Sequence, residues 1–208
     1  MKGRKEREQG NAASDERVFA IVLAAGSGRR FGGTKQLASY DGTPLVARAV
    51  RLAESVCGPR TVLVAGHEWR AVVDGCEPLQ GFFTINAAYR SGMGSSIACG
   101  VKSVGEAADG IIIMLADQPL VTFEHLQRLI SAWAGSGDFI AATSFAGTEG
   151  PPVIFPRRYF ADLAALEGDQ GARPVLKKAG SRVRRLEFEP AAVDIDAPGD
   201  LERLDYPG

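Results

Sequence analysis

The sequence is poor in cysteine and has no long apolar run. Its three cysteines, Cys57, Cys76 and Cys99, are widely spaced over 208 residues, without the spacing of a zinc site or a disulfide framework. No segment approaches the ~20 apolar residues that a membrane-spanning helix needs. The formal net charge of -1 provides no general attraction to nucleic acid or to an anionic membrane. We therefore expect a cytoplasmic protein with reduced cysteines, no nucleic-acid or membrane partner, and only local affinity for phosphate groups.

Residues 1–17 also lack an apolar stretch, which excludes the hydrophobic region of a secretory signal. Their mixture of charged and polar side chains is typical of a flexible tail. Residues 18–208 are enough for one domain with a substantial core, and no linker or repeat divides them. The sequence therefore predicts a flexible tail at 1–17 and a single domain over 18–208.

Short apolar runs alternate with segments of helical periodicity. The clearest strand is Gly110–Leu115, whose continuous apolar run is typical of a strand buried on both faces. The alternation predicts an α/β fold in three layers, with a mainly parallel, Rossmann-like sheet between two layers of helices. The other predicted strands are Val18–Leu23, Thr61–Ala65, Phe82–Ile85, Phe139–Thr143, Val153–Phe155, Val183–Phe188 and Val193–Ile195. The predicted helices are Leu45–Cys57, Ser95–Val104, Thr122–Trp133, Arg158–Leu166, Ala172–Ala179 and a last one from Gly199.

The segment VFAIVLAAGSGRRFGGTK, residues 18–35, is an apolar run that opens into a glycine-rich loop with nearby cations. Glycines let backbone N–H groups approach a ligand closely, and flanking cations neutralise phosphate oxygens. A Walker A loop would require a lysine directly after Gly33, and a Rossmann fingerprint would require a small residue where Phe31 stands. The loop therefore indicates a nucleotide site of another type, and an ordinary strand-to-helix turn is the alternative.

Two acidic segments are candidates for a metal site. Asp117 follows the apolar strand that ends at Leu115. Asp194 and Asp196 alternate with apolar residues, so a strand would place both carboxylates on one face. Carboxylate oxygens suit Mg2+, which usually takes one or two of them together with substrate phosphates. The alternatives are a turn or cap residue at Asp117, and a solvent-facing edge strand with a helix cap at Asp196.

The segment NAAYRSGMGSSIACGV, residues 86–101, places glycines and two serines directly before a helix. Free N–H groups at a helix start, with the hydroxyls of Ser95 and Ser96, suit an anion or the edge of a base. A serine-capped helix after a turn is the alternative. Because ligands of open α/β sheets bind beyond the carboxyl ends of the strands, we expect this segment, the glycine loop and the acidic segments to form one site.

These motifs resemble the MobA-like nucleotidyltransferases, and among them most closely the molybdenum cofactor cytidylyltransferases. The resemblance is carried by Leu-Ala-Ala-Gly at Leu23–Gly26, with Gly28, Arg30, Gly32 and Lys35 after it, and by Gly92–Ser96, Asp117–Pro119, Gly150–Phe155, Gly168–Arg173 and Asp194–Asp196. Three positions depart from the family pattern: Phe31 replaces methionine, Ala197 replaces threonine, and Pro151 replaces histidine or asparagine. The last departure bears on the identity of the acceptor.

The resemblance implies which residues form the site. Those expected at the nucleotide are Leu23, Ala24, Ala25, Gly26, Ser27, Gly28, Arg30, Lys35, Asn86, Gly92 and Ser95. Those expected at the acceptor are Ser96, Gln118, Pro152 and Arg173. Catalysis is expected of Arg30, Lys35 and Asp117, with Asp117 and Asp196 as Mg2+ ligands.

The resemblance also implies a reaction. A Mg2+-dependent enzyme would transfer CMP from CTP to molybdopterin and release pyrophosphate, and a molybdenum enzyme would receive the product. A guanylyltransferase is a rival of the same fold, although its loop usually has glycine where Ala25 stands. A cytidylyltransferase acting on a sugar-alcohol phosphate is another. Rivals of other classes are an NAD(P)H-dependent reductase and a non-catalytic chaperone that binds the cofactor.

Overall fold

A computed structural model describes residues 17–28, 31–134 and 137–205 of the chain. The strands are β1 (Val18–Ala24), β2 (Ser39–Tyr40), β3 (Thr43–Pro44), β4 (Thr61–Ala65), β5 (Phe82–Ile85), β6 (Gly110–Leu115), β7 (Ile140–Phe145), β8 (Thr148–Pro156) and β9 (Val183–Glu187). The α-helices are α1 (Leu45–Cys57), α2 (Trp69–Asp74), α3 (Met93–Val104), α4 (Phe123–Trp133), α5 (Phe160–Ala164), α6 (Arg173–Ala179) and α7 (Pro198–Asp205). The predicted tail, apart from Arg17, lies outside the described residues, so its flexibility stays a prediction.

Seven of these strands form one sheet in the order β5-β4-β1-β6-β8-β7-β9, and β2 pairs with β3 in a separate hairpin. Within the described sheet, β8 runs antiparallel to β6 and β7, whereas the other strands are parallel. The chain passes outward from β1 through β4 to β5 and then returns to β6 on the other side of β1. The loops after β1 and β6 therefore leave neighbouring strands at the point where the strand order reverses, which is where α/β sheets bind ligands.

The apolar run of β1 is buried on both faces of the sheet. Ala20 and Val22 pack on one face with residues of α1, α2 and α4. Ile21 and Leu23 pack on the other face with residues of α3, α5 and α6. Each fully buried aliphatic side chain contributes about 1.5–3 kcal/mol to folding. This arrangement confirms the predicted three-layer α/β fold with a mainly parallel sheet.

The predicted strand at Val193–Ile195 is wrong. Residues 193–197 are irregular chain between a 3-10 helix, Glu189–Ala192, and α7. The Ile195 side chain is fully buried, and its N–H donates to the Asp117 carbonyl at 3.0 Å. The alternation of this segment therefore comes from one buried isoleucine between two exposed aspartates, and the segment forms no strand of the described sheet.

Other short elements do not show in the sequence pattern. The helix α2 and the β2–β3 hairpin are too brief to display a period, and the helix expected at Arg158–Leu166 divides into a 3-10 turn, Arg157–Tyr159, and α5. No helix among the described residues has the length and apolar character needed to cross a bilayer.

Candidate active site

The loop after β1 closes on itself through backbone contacts. The N–H groups of Phe31 and Gly32 donate to the Gly28 carbonyl at 2.9 and 3.1 Å. Gly28 has a φ of +56°, and a Cβ there would lie 2.1 Å from the Gly33 carbonyl oxygen. The turn therefore requires glycine at this position. Arg30 lies outside the described residues, so its expected role stays a prediction.

Gln36 supports the loop from a short 3-10 helix, Lys35–Leu37. Its Nε2 donates to the Gly26 carbonyl at 2.7 Å, and only 3% of the residue is exposed. On the other side of Lys35, the Thr34 hydroxyl donates to the Glu68 carboxylate. These contacts hold the backbone on both sides of Lys35. Gln36 was not among the expected site residues, and its place beside Lys35 was the only signal for it.

The loop, the end of β6 and the start of α3 enclose a cavity of about 430 Å3, within the usual size range of small-molecule sites. The expected residues that line it are Leu23, Ala25, Gly26, Ser27, Gly28, Lys35, Gly92, Ser96, Asp117 and Asp196. Ala24 is an exception, because successive strand residues face opposite sides and its methyl group packs in the core beside α1. The Ala24 side chain therefore does not line the cavity, and its expected contact with the nucleotide stays a prediction.

Lys35 joins two carboxylates in this cavity. Its Nζ lies 2.6 Å from Asp117 Oδ2 and 2.9 Å from Asp196 Oδ1. Burial opposes the charge of Lys35, but the two carboxylates outweigh it and raise the pKa of its ammonium group above the ordinary value. Desolvation, followed by the charges of Asp117 and Asp196, raises the pKa of Asp194. The Lys35 ammonium group therefore neutralises part of the negative charge of Asp117, Asp194 and Asp196.

The residues around the cavity fit a divalent cation that arrives with phosphate ligands. Asp117 Oδ1 is buried and has no hydrogen-bond partner among the described residues, so it offers a free ligand oxygen. Within that same part of the chain, no group of three or more His, Cys, Asp or Glu is arranged to hold a metal. Asp117 and Asp196 thus match a Mg2+ ion that takes its other oxygens from substrate phosphates and water. The carboxylate of Asp200 supports this arrangement, since it accepts from the Asp196 N–H at 2.9 Å.

Asn86 organises the segment before α3. Its Nδ2 donates to the hydroxyl oxygens of Ser95 and Ser96 at 2.8 and 3.0 Å. Ser95 in turn donates to the Gly92 carbonyl at 2.8 Å, whereas Ser96 lines the cavity. The structure therefore places Asn86 and Ser95 behind the cavity wall as supports. Ser96, which was expected at the acceptor, lies on the side of the glycine loop.

Two of the N–H groups at the start of α3 already have partners, contrary to the expectation that this helix start offers free donors. Gly94 donates to the Gly168 carbonyl at 2.8 Å, and Ser95 donates to the Gly92 carbonyl at 3.2 Å. A Cβ at Gly92 would lie 2.4 Å from the Gly168 backbone, so glycine permits this close approach. The neighbouring Asp169 lines the cavity beside them. The helix start serves mainly to fix the segment around Gly168.

A second cavity of about 250 Å3 adjoins the first, and Met93, Leu115 and Asp169 line both. Its apolar walls come from α3, β6, the β7–β8 hairpin and α6. The charged residues that line it are Glu149, Asp169, Arg173 and Asp194. Asp194 therefore belongs to the second cavity and Asp196 to the first, although the sequence pattern had suggested one shared face. Glu149 carried no signal in the sequence.

Two of the residues expected at the acceptor line this second cavity, namely Gln118 and Arg173. Gln118 is buried, and its Nε2 donates to the Ala191 carbonyl at 2.7 Å. Pro152 is also buried, and its carbonyl accepts from Thr143, so that Pro151 lines the cavity in its place. The expectation for Pro152 is corrected, because the hairpin turns Pro151 outward and Pro152 inward.

Residues 20–184 match the MobA-like NTP transferase domain. The chain belongs to this family. The membership confirms the resemblance read from the motifs and makes the chain a nucleotidyltransferase, which disfavours the reductase alternative.

Relatives of this MobA-like chain match along most of its length. The purine catabolism protein PucB of Bacillus subtilis (strain 168) is 29% identical over 198 residues, which cover 90% of this chain and 95% of PucB. The crystal structure of a homologue of Rv0371c from Mycobacterium sp. strain JC1 has a TM-score of 0.77 at 30% identity, covering 90% of this chain and 94% of that one. Rv0371c of Mycobacterium tuberculosis H37Rv in complex with manganese has a TM-score of 0.73 at 28% identity, covering 90% and 97%. Divalent metals are common in nucleotidyltransferases of this fold, and this last structure contains one.

A buried histidine stabilises the wall of the second cavity from behind. His125 Nε2 lies 2.8 Å from Thr143 Oγ1, and the Thr143 hydroxyl donates to the Pro152 carbonyl at 2.6 Å. Because that hydroxyl hydrogen is engaged, the imidazole must donate from Nε2. Burial, with the charge of Arg128 as a smaller cause, lowers the pKa of His125 to about 4. The neutral histidine thus ties α4 to the hairpin that carries Pro151.

Proposed function

We propose that this MobA-like nucleotidyltransferase transfers CMP from CTP to molybdopterin, with Mg2+ as its metal, and releases pyrophosphate. The observation that carries the proposal is the junction of the two cavities. Lys35, Asp117 and Asp196 line the first cavity. Asp194 and Gln118, the residue directly after Asp117, line the second. A triphosphate against the glycine loop and an acceptor in the second cavity would meet beside these charges.

The residues of the first cavity have separate roles in this proposal. The backbone of the glycine loop and the ammonium group of Lys35 bind the triphosphate, and Arg30 adds a second cation. Asp117 and Asp196 would hold Mg2+, which when bound neutralises phosphate charge. An acceptor phosphate oxygen forms a bond to the α-phosphorus while the bond to the bridging oxygen breaks and pyrophosphate leaves. Such a transfer depends on positioning and charge neutralisation more than on covalent catalysis.

The second cavity favours molybdopterin over a sugar-alcohol phosphate. Its walls are largely apolar and include Phe145, Val153 and Phe155. Such walls suit a flat fused ring. The oxygens of Glu149 and Asp194 can accept from ring N–H groups. A polyol would leave most of these apolar walls without a matching group, while its hydroxyls would lose their bonds to water. The product, a molybdopterin dinucleotide, would pass to a molybdenum enzyme.

The test incubates the purified protein with Mg2+, molybdopterin and each of CTP, GTP, ATP and UTP in turn. Pyrophosphate release and the mass of the dinucleotide product are measured. We expect release that requires molybdopterin and is greatest with CTP. Asp117→Asn is the matched variant, because it keeps the shape of the side chain and removes its charge. Release that is independent of molybdopterin, or that proceeds only with a sugar-alcohol phosphate, would refute the proposed acceptor.

A further inference from the structure

Lys35 occupies the space between the two carboxylates that are best placed to hold a metal. Its ammonium group contacts Asp117 at 2.6 Å and Asp196 at 2.9 Å, and the Lys35 side chain is 16% exposed. A divalent ion bound to these carboxylates, through the free Oδ1 of Asp117 or through the oxygens that Lys35 contacts, would lie within a few ångströms of the ammonium charge. Two cations at such a distance repel each other strongly in a partly buried site. The Lys35 ammonium group therefore disfavours a metal ion at these two carboxylates.

We propose that Lys35 competes with the divalent cation for Asp117 and Asp196, and that its ammonium group transfers to the triphosphate when metal and nucleotide bind together. In the nucleotide-free protein, Lys35 serves as the counter-ion of the two carboxylates and keeps metal affinity low. When a triphosphate is present, its oxygens give the ammonium group a second set of acceptors. The inference deepens the proposed function and rests on it only in taking a triphosphate as the ligand.

The structure around Lys35 allows this exchange without movement of the backbone. The residues on both sides of it are held by hydrogen bonds. The Thr34 hydroxyl donates to the Glu68 carboxylate, and Gln36 Nε2 donates to the Gly26 carbonyl. The lysine side chain itself lines the cavity. Lysine carries a compact charge on a flexible four-carbon stem, so its ammonium group can change partners by rotamer changes alone.

Competition implies that metal and triphosphate promote each other's binding. A metal that displaces the ammonium group from the carboxylates frees it for phosphate oxygens, and a triphosphate that attracts the ammonium group clears the metal site. The two binding free energies are coupled reciprocally by thermodynamic linkage. Removal of Lys35 should therefore strengthen metal binding in the absence of nucleotide, although it removes a positive contact for the substrate.

The experiment measures Mn2+ binding by electron paramagnetic resonance of the free ion, with protein alone and with α,β-methylene-CTP, which does not react. We expect Lys35→Met to bind Mn2+ at least tenfold more tightly than the parent protein without nucleotide. We also expect the gain in Mn2+ affinity on adding the analogue to be smaller in this variant. Arg90→Met is the matched control, because Arg90 lines the same cavity without an ion pair to either carboxylate among the described residues. Its Mn2+ affinity should change less than threefold.

A Lys35→Met protein whose Mn2+ affinity is unchanged or weaker would overturn the inference, as would an equal increase in Arg90→Met. Thermal melting followed by circular dichroism verifies folding, and Lys35→Gln provides a second variant that lacks the charge. Asp196→Asn, at a half-exposed side chain, should weaken Mn2+ binding. None of these measurements requires turnover. A protein that binds Mn2+ as expected but releases no pyrophosphate with molybdopterin and any triphosphate would refute the proposed function and leave the competition standing.

Discussion

Acid should destabilise this protein through His125, and the size of the effect follows from its burial. The residue is 1% exposed, and its pKa is lowered from 6.5 to about 4. The folded state therefore holds the neutral imidazole, while the unfolded chain takes up a proton as the pH falls below about 6.5. The contribution to stability is complete above that pH, is lost as the pH falls toward about 4, and changes no further below it.

The magnitude comes from the difference between the two pKa values. A shift of this size corresponds to about 3 kcal/mol when the loss is complete. At pH 5, the loss is already about 2 kcal/mol by the same linkage relation. That amount is a large part of the stability of an ordinary domain, which is about 5–15 kcal/mol. Most carboxylates are still ionised at pH 5, so the histidine effect can be separated from general acid unfolding.

The assay is urea unfolding at pH 7 and pH 5, followed by tryptophan fluorescence, in the parent protein and in His125→Gln. The parent should lose about 2 kcal/mol more than the variant between the two pH values. The sequence contains only one other histidine, His67, and His67→Gln serves as the control that should retain the pH dependence of the parent. An equal loss in the parent and in His125→Gln would show that the buried imidazole is not the group responsible.

Three further outcomes test the site. Asp117→Asn should lower kcat/KM by about 10–100-fold, which is the equivalent of one lost charge-assisted contact, and should raise the Mg2+ concentration needed for half-maximal rate. Turnover that is insensitive to EDTA would contradict the metal assignment. Gly28→Ala should raise the KM for the triphosphate by about tenfold, because the new Cβ would clash with the Gly33 carbonyl. Gly32→Ala is the control, since Gly32 also has a positive φ but has open space around it, and equal effects of the two substitutions would show that loop closure is unimportant. Ala25→Gly should reduce the preference for CTP over GTP in kcat/KM, because Ala25 lines the cavity and a smaller residue there would leave more room for a purine. A preference of the parent for GTP would overturn the cytidylyl assignment and leave nucleotidyl transfer intact.

Much of the fold was predictable because its signals are local. The helix Leu45–Cys57 and the strands Thr61–Ala65, Phe82–Ile85 and Gly110–Leu115 have the predicted bounds. In the helix and in the strands Thr61–Ala65 and Gly110–Leu115, the burial of apolar side chains and the period of the backbone agree. Phe82–Ile85 is an edge strand whose apolar side chains are largely exposed, so only its composition indicated a strand. The segment at Val193–Ile195 shows the limit of this reasoning. Its alternation matches a strand, but one buried isoleucine between two aspartates produces the same pattern.

The sequence by itself determined the layered α/β architecture, the glycine loop and the acidic segments of the family, because periodicity and composition along the chain encode them. Only the tertiary structure decided which of these residues meet. Lys35 and Asp196 are 161 positions apart and share a hydrogen bond of 2.9 Å. The same packing assigned Asp196 to the first cavity and Asp194 to the second, and turned Ser95 behind the wall while Ser96 lines it. A local pattern specifies which face a side chain takes within its own element, whereas the distance between remote groups depends on how those elements pack.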